Sequence, residues 1–387
     1  MRNLTLFNDT ETSHEGSDFG RFRLGMVNGR HVLIDPEGRP FYSLGINHIN
    51  AVEEKASPNI FDEQFQQDWK AYSLSAVNDL QRWNYNTAGY GSPEAIYPFM
   101  PYMEDSFLER NSNFLSDEEF YYPDVFDPEI KEEKLKKLRR MCRCTDNPNL
   151  IGYYWTDTPQ WDLERSLSTR GTNWVIEISK LPEGSPGRQR YEDYLTECGN
   201  SDTLATDEGF LALIAKEHYE LIGVATRQLH PGALIFGERY LLEDHPRVVL
   251  DAAMPYIDVI SIQPGSDCFE SEYFDDLYAR YKKPIIICDH QCSFATSEYA
   301  NTMWKQLDSE QAVANMYKNY LSEASAKPYI IGYHRCQYID RFNPHPGVLK
   351  QGLLREDGTV YEVLQKAVTA ANLKAQENFI RYTSPIK

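Results

Sequence analysis

The sequence predicts an α/β fold of the (β/α)8 TIM-barrel class. Eight short apolar segments rich in Ile, Val and Tyr alternate with segments of helical periodicity. Strands that alternate with helices pair in parallel and are covered on both faces. The 387 residues suffice for one such barrel. A doubly wound open sheet is the competing architecture, but no G-x-G-x-x-G or Walker-type loop follows the first strand, which disfavours a nucleotide-binding form.

The chain is predicted to begin with a flexible polar tail, residues 1–18, followed by a single barrel domain over residues 19–387. The segment "LGMVNGRHVLIDPEGRP" carries two turn signals and predicts a short N-terminal β-hairpin. The first barrel strand is then expected from Phe41 to Ile46. One amphipathic helix follows, predicted from the spacing of Phe61, Phe65, Trp69, Tyr72 and Leu80.

The second and third strands are placed in "WNYNTAGYGS" and "YPFMPYM", and a charged helix in "DPEIKEEKLKKLRRMCR". The fourth strand begins at Ile151. After it, residues 162–206 are predicted to be an irregular insertion, and a helix is expected from about Asp207 to Leu229. The last four strands lie in "ALIFGERY", "IDVISIQP", "KPIIICDHQCSF" and "YIIGYHRCQY", before a closing helix.

Charge and cysteine content limit the partners and the compartment. The net charge of −19 repels nucleic acid and anionic membranes, so neither is expected as a partner. No run of about 18 apolar residues and no apolar leader segment is visible, which predicts a cytoplasmic protein, or a periplasmic or secreted one if a leader has been removed. Seven cysteines at irregular spacings predict free thiols in a reducing compartment.

The active site of such a barrel forms at the carboxyl ends of its strands. Polar residues cluster at the predicted ends, and the candidate substrate-binding residues are Asn47, His48, Tyr90, Trp161, Arg239, Gln263, His290, His334, Arg335 and Gln337. Carboxylates stand at three ends, Asp157, Glu238 and Asp289. Two carboxyl groups can cleave a glycosidic bond if one protonates the leaving oxygen while the other attacks or activates water.

Several alternatives stay open for individual residues. Cys288, His290 and Cys292 could suggest a metal site, but a straight row of alternate residues spreads its ligands too far for one ion, so no metal or other cofactor is expected. Cys336 with His334 is a weak thiol–imidazole pair without a third group. Glu238 and Arg239 could form an ion pair with each other. His48 could bind a sugar hydroxyl or brace its loop.

The chain also resembles agarase-like glycoside hydrolases of clan A, especially family 50. The resemblance extends over roughly residues 22–370, in the order "RPFYSLGINHIN", "NYNTAGYGS", "DVFDPE", "IGYYWTDTPQW", "LIFGERY", "DVISIQP", "KPIIICDHQCSF" and "IIGYHRCQY". It implies a (β/α)8 barrel that hydrolyses β-linked galactans. It also implies retention of configuration through two glutamates, at the ends of strands four and seven.

The chain departs from that pattern at the key positions. The Asn-Glu pair of strand four is matched by Asp157 and Thr158, and the glutamate of strand seven by Asp289. A tryptophan that relatives often carry on strand eight is matched by Arg335. The resemblance therefore implies Asp289 as nucleophile and Asp157 as displaced proton donor, with Glu238 as the alternative donor.

The resemblance thus implies a hydrolase whose partner is a galactan-type oligosaccharide, and the lack of a visible leader favours short oligosaccharides and an exo-acting site. Arg239, Arg335 and Arg341 at or beyond strand ends suggest a sulfated or carboxylated sugar, since arginine binds such groups through two hydrogen bonds. These arginines could instead neutralise the carboxylates of the site. The rival hypothesis is a barrel that has lost hydrolysis and binds a glycan or performs non-hydrolytic chemistry on it.

Overall fold

A computed structural model describes residues 20–53, 58–199, 203–343 and 347–384. The predicted tail, residues 1–18, lies outside these ranges. The strands are β1 Arg23–Val27, β2 Arg30–Ile34, β3 Pro40–Phe41, β4 Ser43–Ile46, β5 Thr87–Ala88, β6 Tyr102–Asp105, β7 Leu150–Asp157, β8 Leu234–Leu241, β9 Ile260–Gln263, β10 Ile285–His290, β11 Cys292–Phe294, β12 Lys305–Leu307, β13 Ile330–Arg335, β14 Arg341–Asn343 and β15 Val348–Lys350. The helices are α1 Ile60–Glu63, α2 Trp69–Arg82, α3 Pro128–Met141, α4 Leu163–Arg170, α5 Trp174–Ser179, α6 Pro186–Glu197, α7 Leu204–Leu229, α8 Arg247–Ala253, α9 Ser271–Tyr281, α10 Glu310–Ala326 and α11 Glu362–Thr383.

Eight strands close into a barrel in the order β10-β13-β4-β5-β6-β7-β8-β9. This is the chain order of the eight predicted strands, and the pairings of β10 with β13, β13 with β4, β4 with β5 and β5 with β6 are parallel. The side chains of β4, β9, β10 and β13 are all buried, as expected for strands covered on both faces. The predicted (β/α)8 fold is confirmed.

The N-terminal hairpin forms where the turn signal predicted it. β1 pairs antiparallel with β2, and Val27 lies opposite Arg30 across a two-residue turn. Asn28 and Gly29 in that turn have φ angles of 51° and 76°. Positive φ at both central residues defines the turn type that favours Asn-Gly, because its twist matches that of the strands.

Two helical predictions need correction. The helix predicted through Phe61–Leu80 is two helices, because Gln66 and Gln67 have positive φ and Asp68 caps α2 by accepting from the Lys70 and Ala71 amides. The insertion at 162–206, expected to be irregular, contains α4, α5, α6 and the start of α7. Short capped helices between proline- and glycine-rich turns leave little periodicity to detect.

The chain divides into two compact units. The first takes its described residues from Met1–Glu104, Asp146–Gly152 and Ile262–Lys387, and the second consists of Asp105–Thr145 and Tyr153–Ser261. In the first unit α10 packs on α11, and in the second α7 packs on α3 and α8. The single domain over 19–387 stays a prediction. None of the helices in the described ranges is long and apolar enough to cross a membrane.

Candidate functional site

In the first unit, the buried side chain of Asn47 links several strand ends. Its Nδ2 donates to the Cys288 carbonyl at 2.8 Å, and its Oδ1 accepts from the Tyr90 amide at 2.9 Å. Its backbone amide donates to the Arg335 carbonyl at 2.9 Å, and its carbonyl accepts from the Tyr338 amide at 3.1 Å. These bonds connect the carboxyl ends of β4, β5, β10 and β13. Asn47 therefore positions the loops of this unit's strand ends.

His48, Asp289 and Cys336 come together just beyond this framework. His48 Nε2 lies 3.9 Å from Asp289 Oδ2. One ligand atom from each of the three side chains lies within 4.8 Å of the other two. Asp289 and Cys336 are buried, while the His48 side chain keeps 15% of its surface exposed. The sequence predicted His48 and Asp289 as site residues but considered Cys336 only beside His334, because residues from three strands share no local motif.

His290, predicted to bind substrate, has both ring nitrogens engaged. Its Nε2 lies 2.8 Å from the Ser266 carbonyl, so Nε2 carries the proton. Its Nδ1 then accepts from the Tyr333 hydroxyl at 2.6 Å, and the ring stacks on Tyr320. Burial lowers the pKa of His290 to about 4. The imidazole is therefore neutral at physiological pH and braces β10 against β13 and α10.

The other predicted residues of the first unit are also buried, apart from Tyr90, which is partly exposed. His334 Nε2 lies 2.8 Å from the Ser43 hydroxyl. Gln337 donates to the Ile339 and Lys350 carbonyls at 2.6 and 3.1 Å. Gln263 ends β9 and is buried, and Tyr90 meets the His48 ring edge-on at 5.4 Å.

Arg335 is fully buried, and its guanidinium lies 5.8 Å from the centre of the Tyr317 ring. No hydrogen-bond acceptor lies in reach of its three guanidinium nitrogens among the described residues. Its predicted role on a substrate anion stays a prediction.

In the second unit, Glu238 belongs to a buried network of charges. Its Oε2 accepts from Trp161 Nε1 at 2.8 Å and from the Tyr219 hydroxyl at 2.5 Å, and its Oε1 lies 3.1 Å from His218 Nε2. On the far side of His218, Nδ1 lies 3.1 Å from Glu109 Oε1. Lys134 of α3 completes the group by pairing with Glu109. The sequence missed Glu109, Lys134 and His218, since each is polar on a helix or loop with no motif around it.

The network stabilises charge on its members. Burial and the nearby Lys134 oppose a positive His218, but hydrogen bonds to Glu109 and Glu238 outweigh them and raise the pKa of His218. Burial opposes the charge on Glu109, yet Lys134 and His218 lower its pKa to about 2. Lys134 and His218 thus provide hydrogen-bonding and ion-pair partners for the two buried carboxyl groups, as buried polar groups require.

Asp157 and Arg239 form a separate buried pair in the second unit. Arg239 Nη1 donates to Asp157 Oδ1 at 2.8 Å, and the exposed fractions of the two side chains are 0% and 6%. The considered ion pair between Glu238 and Arg239 is not the one observed, because neighbouring strand residues face opposite sides. Arg239 contacts β7, and Glu238 contacts α7.

Trp161 packs inside the second unit. It is fully buried, stacks on Trp174 with ring centroids 5.0 Å apart, and donates to Glu238. Its backbone amide and that of Asp162 donate to Asp244 Oδ1 at 3.0 and 2.8 Å. Asp244 therefore anchors the start of the insertion, and sequence reasoning did not single it out.

Comparisons with known proteins support the barrel independently. The chain matches the structure of an exo-β-agarase with a TM-score of 0.79 at 17% identity, covering 94% of this chain and 66% of that one. It matches a family GH2 β-galacturonidase from Eisenbergiella tayi, bound to galacturonate, with a TM-score of 0.54 at 13% identity, covering 92% and 54%. Among curated proteins it is 24% identical over 130 residues to beta-agarase B of Vibrio sp. (strain JT0107).

These matches confirm the resemblance to agarase-like hydrolases at the level of the fold. The aligned segment covers 34% of this chain and 14% of beta-agarase B, and the chain spans about two thirds of the exo-β-agarase. No family model matches the chain.

Proposed function

We propose that this protein is a glycoside hydrolase that cleaves galactan-type oligosaccharides. The observation that carries the proposal is the agarase-like barrel, which is similar to agarases over more than nine tenths of the chain. Because one barrel fold serves many chemistries, the assignment also needs reactive groups at the strand ends. Asp289 supplies such a group at the end of β10.

Asp289 is the proposed nucleophile or general base. It holds the position that resembles the nucleophile of the agarases, and its carboxylate lies beside His48 at 3.9 Å. Its side chain is only 3% exposed, so a substrate would meet it away from bulk water. In a desolvated site a carboxylate interacts more strongly with the positive charge that develops at the anomeric carbon.

Asp157 is the proposed proton donor, in preference to Glu238. Both Glu238 oxygens already accept hydrogen bonds from Trp161, Tyr219 and His218, and its side chain has no exposed surface. Asp157 ends β7 at the strand that carries the acid in similar hydrolases. Its partner Arg239 would hold the carboxyl group in position.

We further propose exo action on an anionic sugar. Two structural neighbours motivate this: one is an exo-β-agarase, and another is a β-galacturonidase with a bound galacturonate. Arg341 is an additional arginine just beyond β13, in β14, and 8% of its surface is exposed.

The test is cleavage of defined agaro-, carrageenan- and uronate-containing oligosaccharides, followed by chromatography of the products. Release of a single terminal unit or repeat from one chain end is expected. Asp289→Asn should lower kcat by about 10³-fold or more, since it keeps the shape and removes the charge. The matched control is Asp276→Asn, the same change on an exposed residue of α9. Turnover by Asp289→Asn close to that of the control would refute this role, and binding without cleavage would favour the rival function.

A further inference from the structure

We propose that His48, Asp289 and Cys336 form a binding site for one zinc ion. The three side chains offer an imidazole nitrogen, a carboxylate oxygen and a sulfur, all within 4.8 Å of one another. They come from the ends of β4, β10 and β13, which belong to the same unit. The inference goes beyond the proposed hydrolysis and does not depend on it.

The distances are close to those that a tetrahedral ion requires. Zinc binds nitrogen and oxygen at about 2.0–2.2 Å and sulfur at about 2.3 Å, which places ligand atoms roughly 3.3–3.8 Å apart. His48 Nε2 and Asp289 Oδ2 are 3.9 Å apart, and no pair in the group exceeds 4.8 Å. Small side-chain rotations that shorten these separations would bring all three ligand atoms onto one ion.

The donor set selects the class of metal. A sulfur ligand disfavours calcium and magnesium, which take oxygen ligands. Thiolate together with imidazole and carboxylate suits zinc, and sites with three protein ligands leave a fourth position for water or substrate. The His48 side chain is partly exposed, while Asp289 and Cys336 are buried.

The backbone around the site is held in place by hydrogen bonds. The Cys336 amide donates to the His290 carbonyl at 3.2 Å, and the His48 amide donates to the Tyr90 carbonyl at 2.7 Å. Asn47, which precedes His48, donates a hydrogen bond to the carbonyl of Cys288, which precedes Asp289. This bond fixes the two chain segments to each other. Ligand positions are therefore largely set before an ion arrives, which reduces the ordering cost of binding.

Zinc would change what Asp289 can do. A carboxylate oxygen that donates its electron pair to zinc is a poor nucleophile towards an anomeric carbon. Zinc held by Asp289 would therefore make this carboxylate unavailable for attack, and the metal-free protein would present it as a reactive group. Glycan cleavage should accordingly be measured on the metal-free protein.

The experiment measures metal binding directly. The full chain is stripped with a chelator, exposed to Zn²⁺ and desalted, and its metal content is determined. Affinity is then measured by competition with a chromogenic chelator. We expect one zinc per chain, and binding of Co²⁺ in its place should give the sulfur-to-cobalt charge-transfer absorption of a thiolate ligand. Cys336→Ser should abolish that absorption and weaken zinc binding at least about 10-fold, since even outer partners of a metal site contribute 10–100-fold.

The controls separate this site from adventitious thiols. Cys198→Ser and Cys268→Ser remove two exposed thiols and should leave zinc binding unchanged. His48→Gln tests the ligand with the least buried side chain, so it decides the matter even if Cys336→Ser does not fold, which circular dichroism would reveal. Substoichiometric zinc, or wild-type affinity in His48→Gln, would overturn the inference. A protein that binds zinc but cleaves no glycan when metal-free would support the site and contradict the hydrolase proposal, and the converse result would do the opposite.

Discussion

Lys134→Met should destabilise the second unit strongly, because it removes one charge from the buried network around Glu238. The exposed fractions of the Lys134 and Glu109 side chains are 3% and 2%. Without Lys134, His218 is the cationic group left in direct contact with Glu109. A buried pair broken by loss of one partner typically costs about 3–5 kcal/mol, since the remaining charge stays desolvated.

The pKa of Glu109 gives a second measure of the same cost. The network lowers the pKa of this carboxyl from 4.5 to about 2, a difference that corresponds to about 3 kcal/mol of stability at neutral pH. A carboxyl group whose pKa is lower in the folded protein than in the unfolded chain stabilises the fold at pH values above the unfolded pKa. This contribution should therefore be present above about pH 4.5 and disappear as the pH falls towards 2. In Lys134→Met that acid-side slope should be much weaker.

Urea denaturation monitored by tryptophan fluorescence provides the assay, since Trp155, Trp161 and Trp174 lie in the second unit. Lys131→Met is the matched control, because Lys131 also lies on α3 and pairs with Glu217 of α7, but this pair is partly exposed, at 28% and 37%. It should cost at most about 1 kcal/mol. The double variant Lys134→Met/Glu109→Gln should recover part of the loss. Equal losses in Lys134→Met and Lys131→Met would refute the reasoning.

Three further predictions concern single side chains. Asp157→Ala should slow cleavage of substrates with poor leaving groups most and spare activated aryl glycosides, and equal losses on both would indicate a binding role. Arg335→Met should weaken inhibition by a charged sugar by about 1.5–3 kcal/mol relative to its neutral analogue, whereas unchanged inhibition with a higher melting temperature would assign this buried guanidinium to the framework. Burial raises the pKa of Asp340 to about 7, so the fold should lose about 1.4 kcal/mol per pH unit as pH rises between about 4 and 7, and Asp340→Asn should flatten that slope in chemical denaturation.

The barrel was predictable because its signals are local and repeated. Runs such as "PIIIC" and "YIIGY" are apolar over their whole length, which is typical of strands covered on both faces. The Asn28-Gly29 turn likewise encodes its own geometry. The break between α1 and α2 was not predictable from periodicity, since the apolar spacing continues across Gln66 and Gln67. The helix is interrupted there only because the φ angles of these two residues are positive.

The site was less predictable because polar residues at strand ends can either support the loops or take part in the chemistry. Of the polar residues singled out from the sequence, Asn47, His290 and Gln337 direct their side chains to backbone carbonyls or neighbouring rings, and so support the loops. In the sequence these supporting residues and the candidate catalytic residues all stand at predicted strand ends, so their positions do not distinguish them. Only the partners of each side chain, which come from distant parts of the chain, separate support from chemistry.

Glu238 and Arg239 illustrate how one step along a strand decides a residue's role. Both are charged, adjacent and fully buried at the end of β8. Glu238 faces α7, and its two oxygens bond three groups of the second unit, the Trp161 ring nitrogen, the Tyr219 hydroxyl and the His218 imidazole. Arg239 faces β7, where it holds Asp157 at the end of that strand. The residue that resembles a spare catalytic glutamate is therefore assigned to stability, and its neighbour to the positioning of a carboxylate. If this division holds, Glu238→Gln should lower the urea midpoint while leaving kcat per folded molecule within about twofold of wild type. Arg239→Met should lower kcat per folded molecule, and it should also lower stability because it breaks the buried pair with Asp157. A large loss of kcat in Glu238→Gln would contradict this division and indicate that Glu238 of β8 takes part in the reaction.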